Sequence, residues 1–192
     1  MGNSYVKRCE YSVQAADVPG GEASKRLWVR YNATRVLEFL RKQAIPIWGE
    51  HRSQAVIWMA VRDGSQRYIL KDKDSSLIKS KTNMALSRRG IAILWPRNDA
   101  RDQETVSFAD IWAGFTEPLK LTSKRYSSGP VLVATLGWNG QIWKAEWSLL
   151  MDDKVRTWSL RGRDYVDLLS RATALLAEVM GQTFAVLETT DV

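Results

Sequence analysis

The sequence predicts an α+β fold (mixed α/β), with one mixed sheet, a C-terminal antiparallel meander and about four to five helices packed on that sheet. Helix-like periodicity follows strand-like segments in the first two thirds of the chain, and three alternating segments joined by tight turns fill the last third. The apolar run at 55–61 is typical of a central strand covered on both sides. We expect a single domain over 4–188, with two lobes at 4–96 and 105–188 as an alternative organisation.

The amino-terminal elements are predicted from alternation and from a helix cap. Residues 4–14 alternate apolar with polar side chains, which predicts a half-buried strand, and we expect its thiol, Cys9, to be buried. A glycine-rich turn then leads to a second strand at 27–31. Asn32 is placed to cap a helix that Pro46 ends.

The rest of the chain is predicted from turn and cap signals. In order, the middle holds a short strand at 67–70, a helix from a cap at Asp74 or Ser75 to Arg89, a strand at 91–94, a polar loop over 97–105, and helices beginning at Ser107 and Thr116. The side chains expected to face inward from the first of these helices are Leu77, Ile78, Met84 and Ala85. The last third holds strands at 131–136, 143–149 and 155–160, and a helix that Asp164 caps and Gly181 ends.

Charge and composition exclude several classes of protein. The 192 residues carry 28 Lys and Arg against 21 Asp and Glu, and the net charge of +7 favours acidic partners. These cations are scattered along the chain, so we expect most of them on a solvated surface. The single cysteine excludes an intrachain disulfide and a multi-cysteine zinc site. No apolar run approaches the roughly 20 residues that cross a bilayer, so no transmembrane segment is expected.

Motifs for catalysis are missing from the sequence. His51, the one histidine, stands beside Glu50 without a second histidine or a cysteine nearby, and we interpret it as a surface loop residue. No G-x-S-x-G elbow, Walker loop or G-x-G-x-x-G turn occurs. We therefore expect a protein that is not an enzyme and holds no cofactor and no metal ion. A hydrolase with a pair of carboxylates stays open, because the spacing of such a pair is spatial.

Tryptophan is unusually frequent, with nine in the chain. Five fall within predicted strands and are expected in the core: Trp28, Trp58, Trp143, Trp147 and Trp158. Four fall at the ends of elements or in loops: Trp48, Trp95, Trp112 and Trp138. An indole in such a place can line a recognition surface, and partial exposure of two of these four would favour that role over the core.

The candidate binding site lies between Trp95 and Trp112. A long polar loop flanked by aromatic side chains on a rigid sheet is where binding residues gather. We predict Trp95, Pro96, Asp110, Trp112 and Arg125 as binding residues. A structural ion pair between Asp110 and Arg125 is the alternative interpretation.

Several segments together carry a resemblance to a known family. They are LWVRY at 27–31, AIPIWG at 44–49, VIWMA at 56–60, RRGI at 88–91, LWP at 94–96, SFADIWAGF at 107–115 and SKRY at 123–126. In these segments the chain resembles the uncharacterised proteobacterial proteins grouped as domain of unknown function 2066. The resemblance implies a periplasmic protein normally made with a signal peptide and a longer amino-terminal region, so we expect this sequence to be a trimmed one.

Three functions follow as hypotheses. The first is a non-catalytic extracytoplasmic (periplasmic) binding or scaffold domain that engages a protein or a cell-envelope component. The alternative is a nucleic-acid or anionic-ligand binding module that uses basic and aromatic surface. A carboxylate-dependent hydrolase is the third.

Overall fold

The computed structural model describes residues 5–14, 24–45, 47, 54–151 and 154–184. Helices and strands each hold a little more than a third of the described residues, so the predicted mixed α/β class is confirmed. The chain separates into two compact units, the smaller containing the described residues up to 47 and the larger those from 54 to 184. The larger unit draws its sheet from both of the alternative lobes, 4–96 and 105–188. The single domain over 4–188 stays a prediction.

The smaller unit is a β-hairpin followed by a helix. Strands β1 (Val6–Gln14) and β2 (Ser24–Tyr31) pair in antiparallel fashion and form a two-stranded sheet of their own, not part of one mixed sheet as predicted. Helix α1 (Ala33–Lys42) follows, and the side chain of Asn32 accepts a hydrogen bond from the backbone N–H of Arg35 at 3.3 Å. This observation confirms the predicted cap.

The apolar face of this hairpin is exposed, which corrects the prediction of a half-buried strand. Tyr11, Leu27 and Tyr31 are each more than 60% exposed, and Cys9 is exposed as well. Trp28, on the opposite face, is 64% exposed although it was predicted to be a core residue. Alternation distinguishes the two faces of a strand, but burial of a face depends on a second layer, which alternation does not report.

The larger unit is built on a six-stranded mixed sheet. Its strands are β3 (Ala55–Asp63), β4 (Gln66–Leu70), β5 (Ile93–Leu94), β6 (Val131–Trp138), β7 (Trp143–Met151) and β8 (Lys154–Gly162). The order is β4-β3-β6-β7-β8, with β5 beside the start of β3. β3 and β6 are parallel, and β6, β7 and β8 form the predicted antiparallel meander.

Helices lie on both sides of this sheet. They are α2 (Leu77–Ser87), α3 (Ala100–Gln103), α4 (Phe108–Ala113), α5 (Thr116–Ser123) and α6 (Tyr165–Phe184). α2 and α6 pack against each other, and α6 contacts β7 and β8. α4 and α5 contribute Ile111 and Leu119 to a core shared with Val56, Trp58 and Ala60 of β3. Every residue from 55 to 61 is buried, which confirms β3 as the predicted central strand.

Two tryptophans anchor the core. Trp58 is fully buried, and its Nε1–H donates to Oγ of Ser123 at 2.9 Å, which links β3 to α5. Trp147 is also fully buried, and its ring lies 6.4 Å from that of half-buried Trp158. The burial of Trp58 and Trp147 confirms the core role predicted for them, whereas Trp143 and Trp158 are half-buried.

The predictions for α2 are wrong at its cap and along part of its inward face. α2 is capped by Ser76, not by Asp74 or Ser75, because Asp74 turns back to accept from the backbone N–H of Lys71 at 2.9 Å. Its inward stripe is therefore shifted: Leu77 and Met84 are exposed. The residues of α2 that are buried are Ile78, Lys79, Thr82, Ala85 and Leu86.

The loop predicted over 97–105 contains the short helix α3, which Asp99 caps. The last helix continues through Gly181 to Phe184 instead of ending at the glycine. A glycine inside a helix costs only about 1 kcal/mol, so it does not by itself end one.

Candidate functional site

Two of the predicted binding residues, Trp95 and Pro96, are buried. The Nε1–H of Trp95 donates to Oδ1 of Asn83 at 2.8 Å, and Nζ of Lys79 lies 5.6 Å from the centre of its ring. Lys79 is itself buried and donates to the backbone carbonyl of Asp72. Trp95 therefore holds α2 against the loop that follows β5.

Trp112 is half-buried and belongs to a stack on the sheet. Its ring lies 5.3 Å from that of Phe108 at an interplanar angle of 14°, and the guanidinium of Arg62 lies 4.7 Å from its centre. A Cβ added at Gly137 would meet the ring at 3.0 Å. The glycine therefore allows the indole to lie directly on β6. Trp138 is half-buried too, so partial exposure holds for two of the four tryptophans at element ends.

Asp110 and Arg125 do not form the ion pair that was the alternative to binding. Asp110 completes a capping box at the start of α4, where its Oδ2 accepts from the backbone N–H and the hydroxyl of Ser107 at 2.7 and 2.6 Å. These hydrogen bonds lower the pKa of Asp110. The guanidinium of Arg125 instead donates one hydrogen bond to each carboxylate oxygen of Asp99, both at 3.0 Å.

Arg125 belongs to a group that we call the Asp102 cluster: Asp99, Asp102, Arg125 and Tyr126. Asp102 is completely buried and accepts from Arg125, from the hydroxyl of Tyr126 and, at 2.8 Å, from the backbone N–H of Asn98. The hydrogen bonds from Arg125 lower the pKa of Asp99 to about 2. Burial, and then the hydrogen bond to Asp102, raise the pKa of Tyr126 to about 12.

The Asp102 cluster fastens α3 to the end of α5. Asn98, which directly precedes Asp99, has a left-handed φ of 50°. The Oδ1 atom of Asn98 is buried without a hydrogen-bond partner among the described residues. Both carboxylates are held by one guanidinium, and the only tyrosine present stays protonated far above neutral pH. This arrangement fixes a loop and leaves no free acid or base in the cluster.

Within the described ranges, no group of three His, Cys, Asp or Glu side chains is arranged to hold a metal ion. His51, Glu50 and Trp48 lie outside the described residues. None of the helices that the structure describes combines the length and the apolar character needed to span a membrane.

A groove that sequence reasoning did not find lies beside α5. Its volume is about 1020 Å³, and we call it the α5 groove. Its apolar lining consists of Pro118, Leu121, Val131, Leu150, Met151 and Phe184. Lys120 and Lys124 lie on the same helix side, and Nζ of Lys120 is 3.9 Å from Oε1 of Glu117. The arrangement can accept an apolar surface with a negative charge beside it.

A signal for this groove was present in the sequence of α5. Leu119 is fully buried, whereas Leu121, two residues later, is 63% exposed. Residues two apart point to different faces of a helix, so a helix with leucine at both positions has an apolar residue off its buried stripe.

A second surface lies on the hairpin of the smaller unit. Strand pairing sets Arg8 opposite Arg30, Glu10 opposite Trp28, and Ser12 opposite Arg26. We call this the Trp28 face. It includes a shallow cavity of about 310 Å³, and Arg8 pairs with Glu10 at 2.8 Å. Arg26 and Arg30 form no ion pair with any residue that the structure describes, so an exposed indole lies between uncompensated cations.

Comparison with known proteins adds no functional assignment. No family model matches the sequence, and no curated protein matches it. A solved structure described as "Crystal structure of uncharacterized protein" is similar with 11% sequence identity and a TM-score of 0.28. The similarity covers 68% of this chain and 92% of that chain. A TM-score this low supports no argument about fold or function.

Proposed function

We propose that the larger unit is a non-catalytic binding domain of the periplasm and that the α5 groove holds an apolar segment of a partner protein. The observation that carries this proposal is the groove of about 1020 Å³, whose lining is mostly apolar. The periplasmic location rests on the resemblance to domain of unknown function 2066.

The shape of the groove favours a protein segment over a small ligand. Pockets for small molecules reach roughly 1000 Å³ and enclose most of their ligand. Here Leu121 is 63% exposed and Phe184 is 36% exposed at the groove, so covering them requires a partner surface. Complete burial of a leucine side chain contributes about 1.5–3 kcal/mol. Lys120 is already close to Glu117, so Lys124 is the cation that favours a carboxylate beside the apolar anchor.

The hydrolase hypothesis needs two carboxyl groups that can exchange protons. The adjacent pair in the larger unit, Asp99 and Asp102, is held by Arg125 instead. This geometry supports a structural role for the pair, in agreement with a binding domain.

Two leucines allow a matched test. Leu77 on α2 is 60% exposed and does not line the groove, whereas Leu121 is 63% exposed and does. A photo-crosslinking amino acid is placed at either position, and the purified protein is irradiated in envelope extract. The captured protein is identified, purified and titrated against the wild type, Leu121→Glu and Leu77→Glu by calorimetry.

We expect one defined adduct from position 121 and none from position 77. Leu121→Glu should weaken binding of the purified partner by at least about 10-fold, and Leu77→Glu should bind as the wild type does. Identical adducts at both positions, no adduct at position 121, or equal affinities of the two variants would each contradict the proposal. A well-folded Trp112→Ala variant that alone loses the partner would favour the site predicted from the sequence.

The Trp28 face favours a second candidate function, binding of single-stranded nucleic acid. Exposed aromatic rings between arginines stack bases while the cations contact phosphates. Tyr11 is 61% exposed on the opposite face of the same hairpin and provides a matched control for Trp28. Fluorescence anisotropy with labelled oligothymidylate should show binding that Trp28→Ala weakens and Tyr11→Ala does not.

Two phosphate contacts, one each from Arg26 and Arg30, predict a log–log salt slope of roughly −1.4 for this binding. A slope near zero, or equal losses in the two variants, would remove the nucleic-acid candidate. The groove proposal is unaffected by that outcome, because the two surfaces belong to different units.

A further inference from the structure

Strand β8 forms an open edge of the large sheet. It pairs with β7 through nine consecutive residue pairs, from Trp143 opposite Gly162 to Met151 opposite Lys154, without a register shift. No strand in the described part of the chain pairs with its other side. Every second residue of β8 therefore turns its backbone N–H and C=O groups towards this open side, where a further strand can pair with them. The carbonyl of Arg161 already accepts a hydrogen bond from the guanidinium of Arg171 at 3.2 Å.

This edge is strongly basic. The stretch 154–163 contains Lys154, Arg156, Arg161 and Arg163 and no acidic residue. None of the four makes an ion pair with a described residue, whereas Lys144 on the neighbouring strand is paired with Glu146 at 2.6 Å. Charged side chains on an edge strand oppose uncontrolled pairing, and the same charges select a partner of opposite sign.

The positive charges of β8 favour one of two partners, an acidic segment of another protein over a second copy of this chain. A second copy of this chain paired along β8 would bring two sets of these four cations to one seam, and like charges across strands are destabilising. An extended segment rich in Asp and Glu would neutralise them. The alternating side chains of β8 also suit an added strand, because Thr157 and Ser159 are exposed on one face and Trp158 is half-buried on the other.

We propose that the outer edge of β8 binds an extended acidic segment of another protein, which joins the sheet as an additional strand. Main-chain hydrogen bonds supply affinity in this mode of recognition, and the side chains supply selectivity. The inference does not depend on the α5 groove, because none of the residues from 154 to 162 lines it. Failure of one proposal can therefore be distinguished from failure of the other.

A synthetic nine-residue peptide of alternating threonine and glutamate is the probe, and its lysine counterpart is the control. Amide hydrogen exchange of the full chain is followed by NMR with and without each peptide. The variant Arg156→Glu/Arg161→Glu removes charge at the edge. The variant Lys73→Glu/Arg88→Glu makes the same change at exposed positions elsewhere in the larger unit.

We expect the acidic peptide to slow exchange of alternate β8 amides, while the amides of β4 stay unchanged. The edge variant should weaken binding by about 10-fold, because two exposed charge pairs reverse sign, and the control variant should show a much smaller change. Leu121→Glu should bind the peptide as the wild type does.

Other results would overturn the proposal. Equal protection by the lysine peptide would show that charge does not select the partner. If the acidic peptide did not slow hydrogen exchange of the β8 amides, the cations of β8 would serve only to prevent strand pairing at this edge. Protection that rises with protein concentration in the absence of peptide would identify a second copy of this chain as the occupant.

Discussion

Replacement of Asp102 by asparagine should destabilise the protein far more than the same change at Asp99. Asp102 is completely buried and accepts from Arg125, Tyr126 and the backbone N–H of Asn98. The amide of the new asparagine keeps one acceptor oxygen, but its NH2 group then faces at least one of these three hydrogen-bond donors. The loss of a charged hydrogen bond, together with a buried donor left unpaired, amounts to about 3 kcal/mol.

Asp99→Asn is the matched control. The side chain of Asp99 is 40% exposed, and solvent screens an ion pair at such a position. Asparagine is as good a helix cap as aspartate, so the cap of α3 is retained. Each variant therefore replaces a carboxylate that contacts the guanidinium of Arg125 by a neutral amide. The two positions differ mainly in burial.

Urea denaturation followed by circular dichroism measures both variants. We expect Asp102→Asn to lower the free energy of unfolding by about 3 kcal/mol, which corresponds to a fall in Tm of about 6–12 °C for a unit of this size. Asp99→Asn should lower it far less, because solvent already screens that ion pair. If the two variants were equally stable, burial of Asp102 would not be the source of the cluster's contribution.

Three further results follow from the same geometry. Gly137→Ala should lower the free energy of unfolding by about 1–2 kcal/mol in urea denaturation, because the new Cβ presses on the ring of Trp112, and no loss would show that the ring moves freely. The pKa of Asp99 in the folded protein is about 2, below its ordinary value of 3.8. The contribution of Asp99 to stability is therefore complete above about pH 4 and is lost as the pH falls towards 2. Asp99→Asn should remove this part of the acid dependence of the free energy of unfolding. The pKa of Tyr126 is raised to about 12 from 10.0, so its contribution is complete below pH 10 and is lost as the pH rises through 12; Tyr126→Phe should delete one late step from the ultraviolet titration at high pH.

Patterns of neighbouring residues predicted two kinds of feature. One kind depends on contacts between residues close together in the sequence, and the other has the same surroundings on both faces. Asn32 was predictable as a cap because a cap depends on residues three positions apart. β3 was predictable because a strand buried on both faces is apolar throughout. Trp28 was not, because its alternating neighbours define a face without revealing whether another layer covers it.

The candidate site was harder to predict for the same physical reason. Asp102 lies in a polar stretch, and its burial is possible only because Arg125 and Tyr126, more than 20 positions later, supply donors. The predicted residue Arg125 is thus engaged by partners that no local pattern indicates. For Trp112 the sequence indicated a position at the end of an element, but the packing of its ring on Gly137 depends on a strand that begins far along the chain.

The two proposed surfaces of the larger unit meet at the end of β7. Met151 lines the α5 groove and is paired with Lys154, the first residue of β8. Leu150, also in the groove, is opposite Val155, which is 47% exposed. A partner whose apolar anchor enters the groove therefore reaches the β8 edge within a few residues, at about 3.3 Å per residue of extended chain. An apolar segment followed by an acidic extended one would engage both surfaces, and each contact would raise the effective concentration of the other.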